Sequence, residues 1–340
     1  MSTQTEPKTA SADSGLVELS YREAIRAAME DELLEDASVV LMGEDVATAG
    51  GVFKTNEGLS ELFGTDRILN TPICENGFLG VALGMAVTGM RPIVEIMFSD
   101  FLPTAADAIV NELPKFRFMS GGQCTVPVTV RAIGGATGRF GTQHSATGES
   151  WYMGLPGLRV ATAGTPGSAY GVLRAAIRDE NPVLFFEHKG LYGRKDLVQR
   201  GKEGIAPIGK AATIRSGTDI TVVATLLMAD RAGTAAAHMA DAGVSVELIE
   251  LRWIRPLDIE TIAESVARTG RLLIVEEQVH AGGWGATVIS ELTRRDVEMA
   301  RPGVISLADD TLIPYSPDLE DAIIPSVETI AAGMQALLDR

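Results

Sequence analysis

Arg67-Ile-Leu-Asn-Thr-Pro-Ile-Cys-Glu-Asn-Gly-Phe-Leu-Gly80 passes from a short apolar strand pattern into a helical one, with Glu75 at the junction. A side chain at that point lies at the carboxyl end of a strand and the amino end of a helix. Open α/β sheets place ligand chemistry there. The helix dipole favours an ionised carboxylate, whereas burial favours a protonated one. A carboxyl group under those opposing pulls can share a proton with a bound ring. The competing reading is a simple capping carboxylate.

On the amino-terminal side, Ser20-Tyr-Arg-Glu23 is a capping box that opens a helix through Ala24, Ile25, Ala28, Leu33 and Leu34. A buried strand follows at 38–42, then a Gly-rich polar excursion over 43–66. Excursions of that length often carry function. On the carboxyl-terminal side the pattern predicts a Gly/Ala-rich helix over 76–88, a strand over 91–97 and a helix over 101–119 that tolerates Pro103 in its first turn. Strands at 126–132, 158–163 and 183–187, with a helix at 166–178, continue the alternation. This is the pattern of a parallel sheet covered on both faces by helices.

Residues 196–215 read as a linker, after which the alternation restarts in a smaller α/β unit. The expected organisation is a disordered tail (1–15), a first domain (16–195), the linker and a second domain (216–340). At 340 residues, two domains are the natural count. A net charge of −16 with no basic stripe argues against binding nucleic acid or anionic membranes. No stretch reaches the ~18 apolar residues of a membrane span. Two cysteines without metal-ligand spacing, and an amino terminus without a leader pattern, point to the cytoplasm.

The other chemistry candidates divide between functional and structural readings. His144 ends the Gly-rich loop 133–145 and suits a general acid–base or an oxyanion donor as well as a loop-packing role. The loop matches neither the dinucleotide fingerprint nor the P-loop, so its glycines read as points of close backbone approach. Phe101 can stack on a heterocycle or pack in the core. Cys74 with His144 as base would suit a hydrolase, but nothing near Cys74 activates it. Asp179 and Asn181 could hold a hard cation or cap a turn. Glu276-Glu277 with His280 reads as a solvated turn.

Taken together, Met42-Gly-Glu-Asp-Val, the Thr71–Phe78 segment, Met90-Arg-Pro-Ile-Val-Glu-Ile-Met-Phe-Ser-Asp-Phe101, Met119-Ser-Gly-Gly, Gln143-His-Ser, Ala176-Ile-Arg-Asp-Glu-Asn-Pro, Glu187-His-Lys-Gly-Leu-Tyr and Leu251-Arg-Trp-Ile-Arg-Pro-Leu-Asp carry a family likeness. The chain resembles, from residue 18 to its end, the β subunits of the decarboxylating component of 2-oxo-acid dehydrogenase complexes. The resemblance implies two doubly wound α/β domains, a thiamine diphosphate-binding pyrimidine domain and a transketolase C-terminal domain.

It implies further that Glu75 hydrogen-bonds the aminopyrimidine ring, Phe101 stacks on it, Met97 lines its pocket and His144 faces the substrate channel. Potassium, in some members, is held through carbonyls corresponding to Val128, Ala176, Ile177, Asp179 and Asn181. The family's diphosphate motif, Gly-Asp-Gly followed by Asn, is absent here, so Mg²⁺ and diphosphate are expected on a partner α subunit in an α₂β₂ assembly. A dihydrolipoyl acyltransferase core is the further expected partner. Pyruvate is the leading substrate, with acetoin or branched-chain 2-oxo acids as alternatives. A non-catalytic docking subunit is the reading from another class. The sequence departs from the family pattern at Asn70 and Asn76, and in Ala146-Thr-Gly after Ser145.

Overall fold

The computed structural model describes residues 15–340, so all of the expected tail but Gly15 lies outside the described residues. The first half runs β1 (Leu16–Ser20), α1 (Tyr21–Glu35), β2 (Val39–Gly43), α2 (Leu59–Phe63), β3 (Ile68–Asn70), α3 (Glu75–Val87), β4 (Arg91–Ile96), α4 (Leu113–Met119), β5 (Thr129–Gly134), α5 (Glu149–Tyr152), β6 (Arg159–Thr162), α6 (Pro166–Arg178), β7 (Val183–His188) and β8 (Lys195–Gln199). The second half runs β9 (Ala212–Arg215), β10 (Ile220–Ala224), α7 (Leu226–Asp241), β11 (Val246–Glu250), β12 (Trp253–Arg255), α8 (Ile259–Thr269), β13 (Leu272–Val279), α9 (Trp284–Arg294), β14 (Gly303–Leu307), α10 (Pro317–Ile323) and α11 (Val327–Leu338).

Two sheets organise these elements. The larger has the order β12-β6-β7-β5-β4-β2-β3, and the smaller β14-β13-β10-β11-β9. Strands β2 to β7 of the larger sheet are mutually parallel, and β12 closes one edge antiparallel to β6. Because β2 lies between β3 and β4, the chain leaves it in opposite directions on its two sides. That is a topological switch point, and its crevice lies outside the carboxyl ends of the strands. Glu44, Glu75 and Met97 all follow strands that end there.

The helical starts follow from local chemistry. Ser20 Oγ accepts from the Glu23 N–H at 3.2 Å and Glu23 Oε2 accepts from the Ser20 N–H at 2.8 Å, so the predicted capping box is formed. Buried alanines on α1 allow α6 to lie close against it. The two helices are joined by Arg174, whose Nε donates to Glu32 at 2.5 Å and whose Nη2 donates to Glu35 at 2.7 Å.

Several expectations need correction. The segment expected as a linker at 196–215 carries strands: β8 pairs antiparallel with β1, and β9 pairs with β11 in the second sheet. The helix expected over 101–119 breaks into a 3₁₀ segment (Ser99–Ala105), a π turn (Ala108–Glu112) and α4. Pro114 has no N–H to offer a carbonyl one turn back, and Leu113 N–H reaches instead to Ala108 O, five residues away. Glu276 and Glu277 are not a solvated turn but buried residues of β13.

Candidate active site

Glu75 is the first residue of α3, with Cys74 at the N-cap and no capping side chain. It is half-buried, and among the described residues its carboxylate makes no hydrogen bond. Glu44, at the end of β2, feels it: burial first, then the negative charge of Glu75, raises the Glu44 carboxyl above its ordinary range. Two carboxyl groups thus approach one another in the crevice. Asn76 fixes the helix start from the other side, its Oδ1 accepting from Ala108 N–H at 3.2 Å. Asn70 ties the excursion to β3, accepting from Ala47 N–H at 2.8 Å and donating to Thr48 Oγ1 at 2.8 Å. Both departures from the family pattern therefore have structural work to do.

Phe101 lies in the 3₁₀ segment after β4, and Met97 is half-buried just past the strand end. His144 lies in a second 3₁₀ turn, Thr142–His144. Its ring stands edge-on to Phe98, with centroids 4.6 Å apart, and to Phe101, with centroids 5.3 Å apart. The structure therefore brings Phe101 and His144 together in an aromatic frame. Cys74 is exposed at the α3 N-cap and, among the described residues, makes no hydrogen bond to His144. The pairing that a Cys/His hydrolase requires is not formed.

The Gly-rich loop does what its glycines allow. A Cβ on Gly135 (φ 87°) would fall 1.9 Å from His188 Nε2, and one on Gly141 (φ 74°) would fall 2.2 Å from the Tyr315 ring. The loop is thereby pressed against both halves of the chain. His188 Nε2 contacts Glu277 Oε2 at 2.9 Å, and Glu277 Oε1 accepts from Ala136 N–H at 2.7 Å. Although burial works against it, the positive charge and hydrogen bond of His188 hold the Glu277 carboxyl below its usual range.

Beneath the site runs a charge network that local sequence did not disclose. Arg131, fully buried on β5, donates through Nη1 to Glu95 Oε2 at 2.7 Å. Its Nε and Nη2 reach Glu187 at 2.6 and 3.0 Å. Thr55 Oγ1 and Asn56 Oδ1 each accept from Arg131 at 3.1 Å, which nails the 43–66 excursion to the sheet. Tyr192 OH completes the set, donating to Glu187 Oε2 at 2.9 Å. The apolar runs Ile93-Val94 and Ile96 around Glu95, and Val130 and Ala132-Ile133 around Arg131, were the sequence signal that both are buried.

The carbonyls expected to face potassium already have protein donors. Val128 O accepts from Val183 N–H at 2.9 Å and Ala176 O from Asp179 N–H at 3.2 Å. Arg91 Nη1 donates to Ile177 O at 3.3 Å and to Asp179 O at 3.2 Å. Asp179 Oδ1 accepts from Asn181 at 3.0 and 2.8 Å, and its carboxylate also pairs with Arg159. Arg91 thus brings a positive charge to this turn. Among the described residues, no group of three or more His, Cys, Asp or Glu side chains is placed to hold a metal ion. No helix among the described residues is long and apolar enough to cross a membrane.

Comparison with known proteins agrees with this fold. Residues 17–195 match the family "Transketolase, pyrimidine binding domain", and residues 209–330 match "Transketolase, C-terminal domain". The pyruvate dehydrogenase E1 component subunit beta of Rhizobium meliloti (strain 1021) is 39% identical over 327 residues, covering 96% of this chain and 71% of that protein. The acetoin:2,6-dichlorophenolindophenol oxidoreductase subunit beta of Cupriavidus necator is 39% identical over 326 residues, covering 93% of this chain and 96% of that one. The mitochondrial pyruvate dehydrogenase E1 subunit beta-1 of Oryza sativa subsp. japonica is 40% identical over 317 residues, covering 92% and 85%. A solved split-gene transketolase, described as an inactive beta4 tetramer, superposes with a TM-score of 0.75 at 22% identity, covering 94% of this chain and 98% of that one, a likeness of fold. The chain belongs to the transketolase-like family of pyruvate dehydrogenase E1 component beta subunits.

Proposed function

We propose that this chain is the β subunit of a thiamine diphosphate-dependent 2-oxo-acid dehydrogenase, active only with an α subunit in an α₂β₂ assembly, with pyruvate as its leading substrate. The observation that carries the reading is Glu75, a carboxylate that among the described residues has no hydrogen-bond partner and that opens α3 at the switch point of a transketolase-type sheet. Bound thiamine diphosphate supplies the carbanion chemistry. Glu75 holds or hands over a proton at a nitrogen of the pyrimidine ring. Phe101 offers an aromatic face to that ring and Met97 borders it. His144, framed by Phe98 and Phe101, moves a proton on the substrate side.

The chain lacks the other half of the cofactor site. No Gly-Asp-Gly occurs in its sequence, which supports a partner subunit as the holder of Mg²⁺ and diphosphate. The exposed face of α3 supports the same reading. Gly77, Gly80, Val81 and Gly84 are exposed, and a Cβ on Gly80 or Gly84 would meet nothing within 4 Å. A helix face of such small residues admits close approach of another chain beside Glu75. A dihydrolipoyl acyltransferase core is the second partner in this reading, and two unpaired cysteines suit a reducing cytoplasm.

Acetoin cleavage is the second reading, and the Cupriavidus necator relative favours it. The test is co-expression with candidate α subunits, followed by assay of pyruvate, branched-chain 2-oxo acids and acetoin. Glu75→Gln is expected to lower turnover by roughly 10²–10⁴-fold while leaving assembly intact. Undiminished activity would leave the chain a non-catalytic docking subunit. Turnover by the chain alone would overturn the two-subunit reading.

A further inference from the structure

Lys189 follows β7 and is almost wholly buried, at 9% exposure. Its ammonium donates to the backbone carbonyl of His144 at 2.6 Å. The same nitrogen stands over the faces of Phe98 (5.9 Å) and Phe140 (5.4 Å), and Phe98 is one of the two rings that frame the His144 imidazole. The next residues of the turn are held by other segments. Ala146 O accepts from Ser99 Oγ at 2.7 Å, and Ala146 N–H points to the Asp100 carboxylate at 3.3 Å. Thr147 Oγ1 donates to Glu277 O at 3.0 Å. Among the described residues, only Lys189 holds the His144 peptide itself from a side chain.

We propose that Lys189 is a positioning residue, whose buried ammonium anchors the His144 turn through its carbonyl and so fixes the imidazole between Phe98 and Phe101. The proposal rests on the catalytic reading of His144 given above. The anchor is strongest as a cation, because both the carbonyl dipole and the two aromatic faces attract positive charge. Burial drives the Lys189 amine down to about 8, against the opposing charges of Glu277 on β13, Asp100 after β4 and Glu320 on α10. Glu277 is itself engaged by His188, and Glu320 by Arg139.

The consequence has a distinctive sign. Between pH 8 and the ordinary lysine value the unfolded chain binds the proton and the folded chain does not, so this group makes the fold more stable as pH rises. The anchor meanwhile weakens. Activity should therefore fall above about pH 8, where this group's own contribution to folding stability rises.

The test uses the full chain assembled with its α subunit, comparing Lys189→Met and Lys189→Arg with the parent. In Lys189→Met, backbone hydrogen exchange over residues 142–146 should rise about tenfold or more with no fall in thermal stability. Lys189→Arg should restore protection and move the alkaline fall in kcat to higher pH. A kcat lowered about tenfold, at unchanged KM for the 2-oxo acid, is the expected kinetic counterpart in Lys189→Met. Exchange that does not change in Lys189→Met overturns the anchor. Raised exchange with unchanged kcat supports the anchor and overturns instead the catalytic role of His144.

Discussion

At the scale of single residues, the groups proposed to face the cofactor and the groups that support them differ in kind. Among the described residues the Glu75 carboxylate has no hydrogen-bond partner, whereas Arg131 is held by five hydrogen bonds to oxygen. Removing the guanidinium would leave Glu95 and Glu187 buried without compensation, a change that typically costs 3–5 kcal/mol. Arg131→Met should lower the free energy of unfolding by about that amount in urea titration, and should loosen the segment around Thr55 and Asn56 first. Glu75, Phe101 and His144 stood out as candidates in sequence because each sits in a contiguous motif, the first two beside strand ends and His144 at the close of a Gly-rich loop. Lys189 did not, since its role depends on burial by Phe98 and Phe140, which approach it from other loops. Glu276-Glu277 misled for the same reason. Two acids in tandem resemble a turn until His188, distant in sequence, and the Gly285 N–H of the following helix supply partners.

At the scale of elements, α3 carries two duties on one helix. Its buried face, Phe78, Leu79, Ala82, Leu83 and Ala86, packs into the core, while the opposite face is left small and open. Glycine in a helix interior costs up to about 1 kcal/mol relative to alanine, so the open face is maintained at some cost to the chain alone. Gly80→Ala should raise the thermal stability of the chain alone, since nothing lies within 4 Å of the added methyl. Gly80→Leu should fold equally well but weaken association with the α subunit, measured by light scattering of the mixture. The alternation of strands and helices was legible across both halves. The β1–β8 pair and β9 were missed because short, polar-interrupted strands in a Gly- and Pro-bearing stretch carry little periodic signal, and their partners lie far along the chain.

At the scale of the whole molecule, the seam between the halves is built of buried acids. Glu149, on α5, is 1% exposed, and among the described residues one of its carboxylate oxygens has no hydrogen-bond partner. Burial, aided by the charges of Glu277 and Glu276, pushes its carboxyl up to about 7. The folded chain then keeps a proton that the unfolded chain releases near 4.5, so stability falls as pH rises through 7. The deficit above pH 7 amounts to roughly 3 kcal/mol. Glu149→Gln should therefore raise Tm at pH 8 and leave it nearly unchanged at pH 4, as measured by calorimetry. The same seam is crossed by backbone. Strand β12 belongs by sequence to the second half, yet it completes the edge of the first sheet beside β6. A gene cut anywhere before Trp253 would release a first half whose β6 edge bears unpaired backbone groups, open to strand addition from any neighbour. The two halves are thus separable in a family diagram but not in a test tube, and a workable division of this polypeptide would have to leave the 253–255 ribbon with the upstream piece.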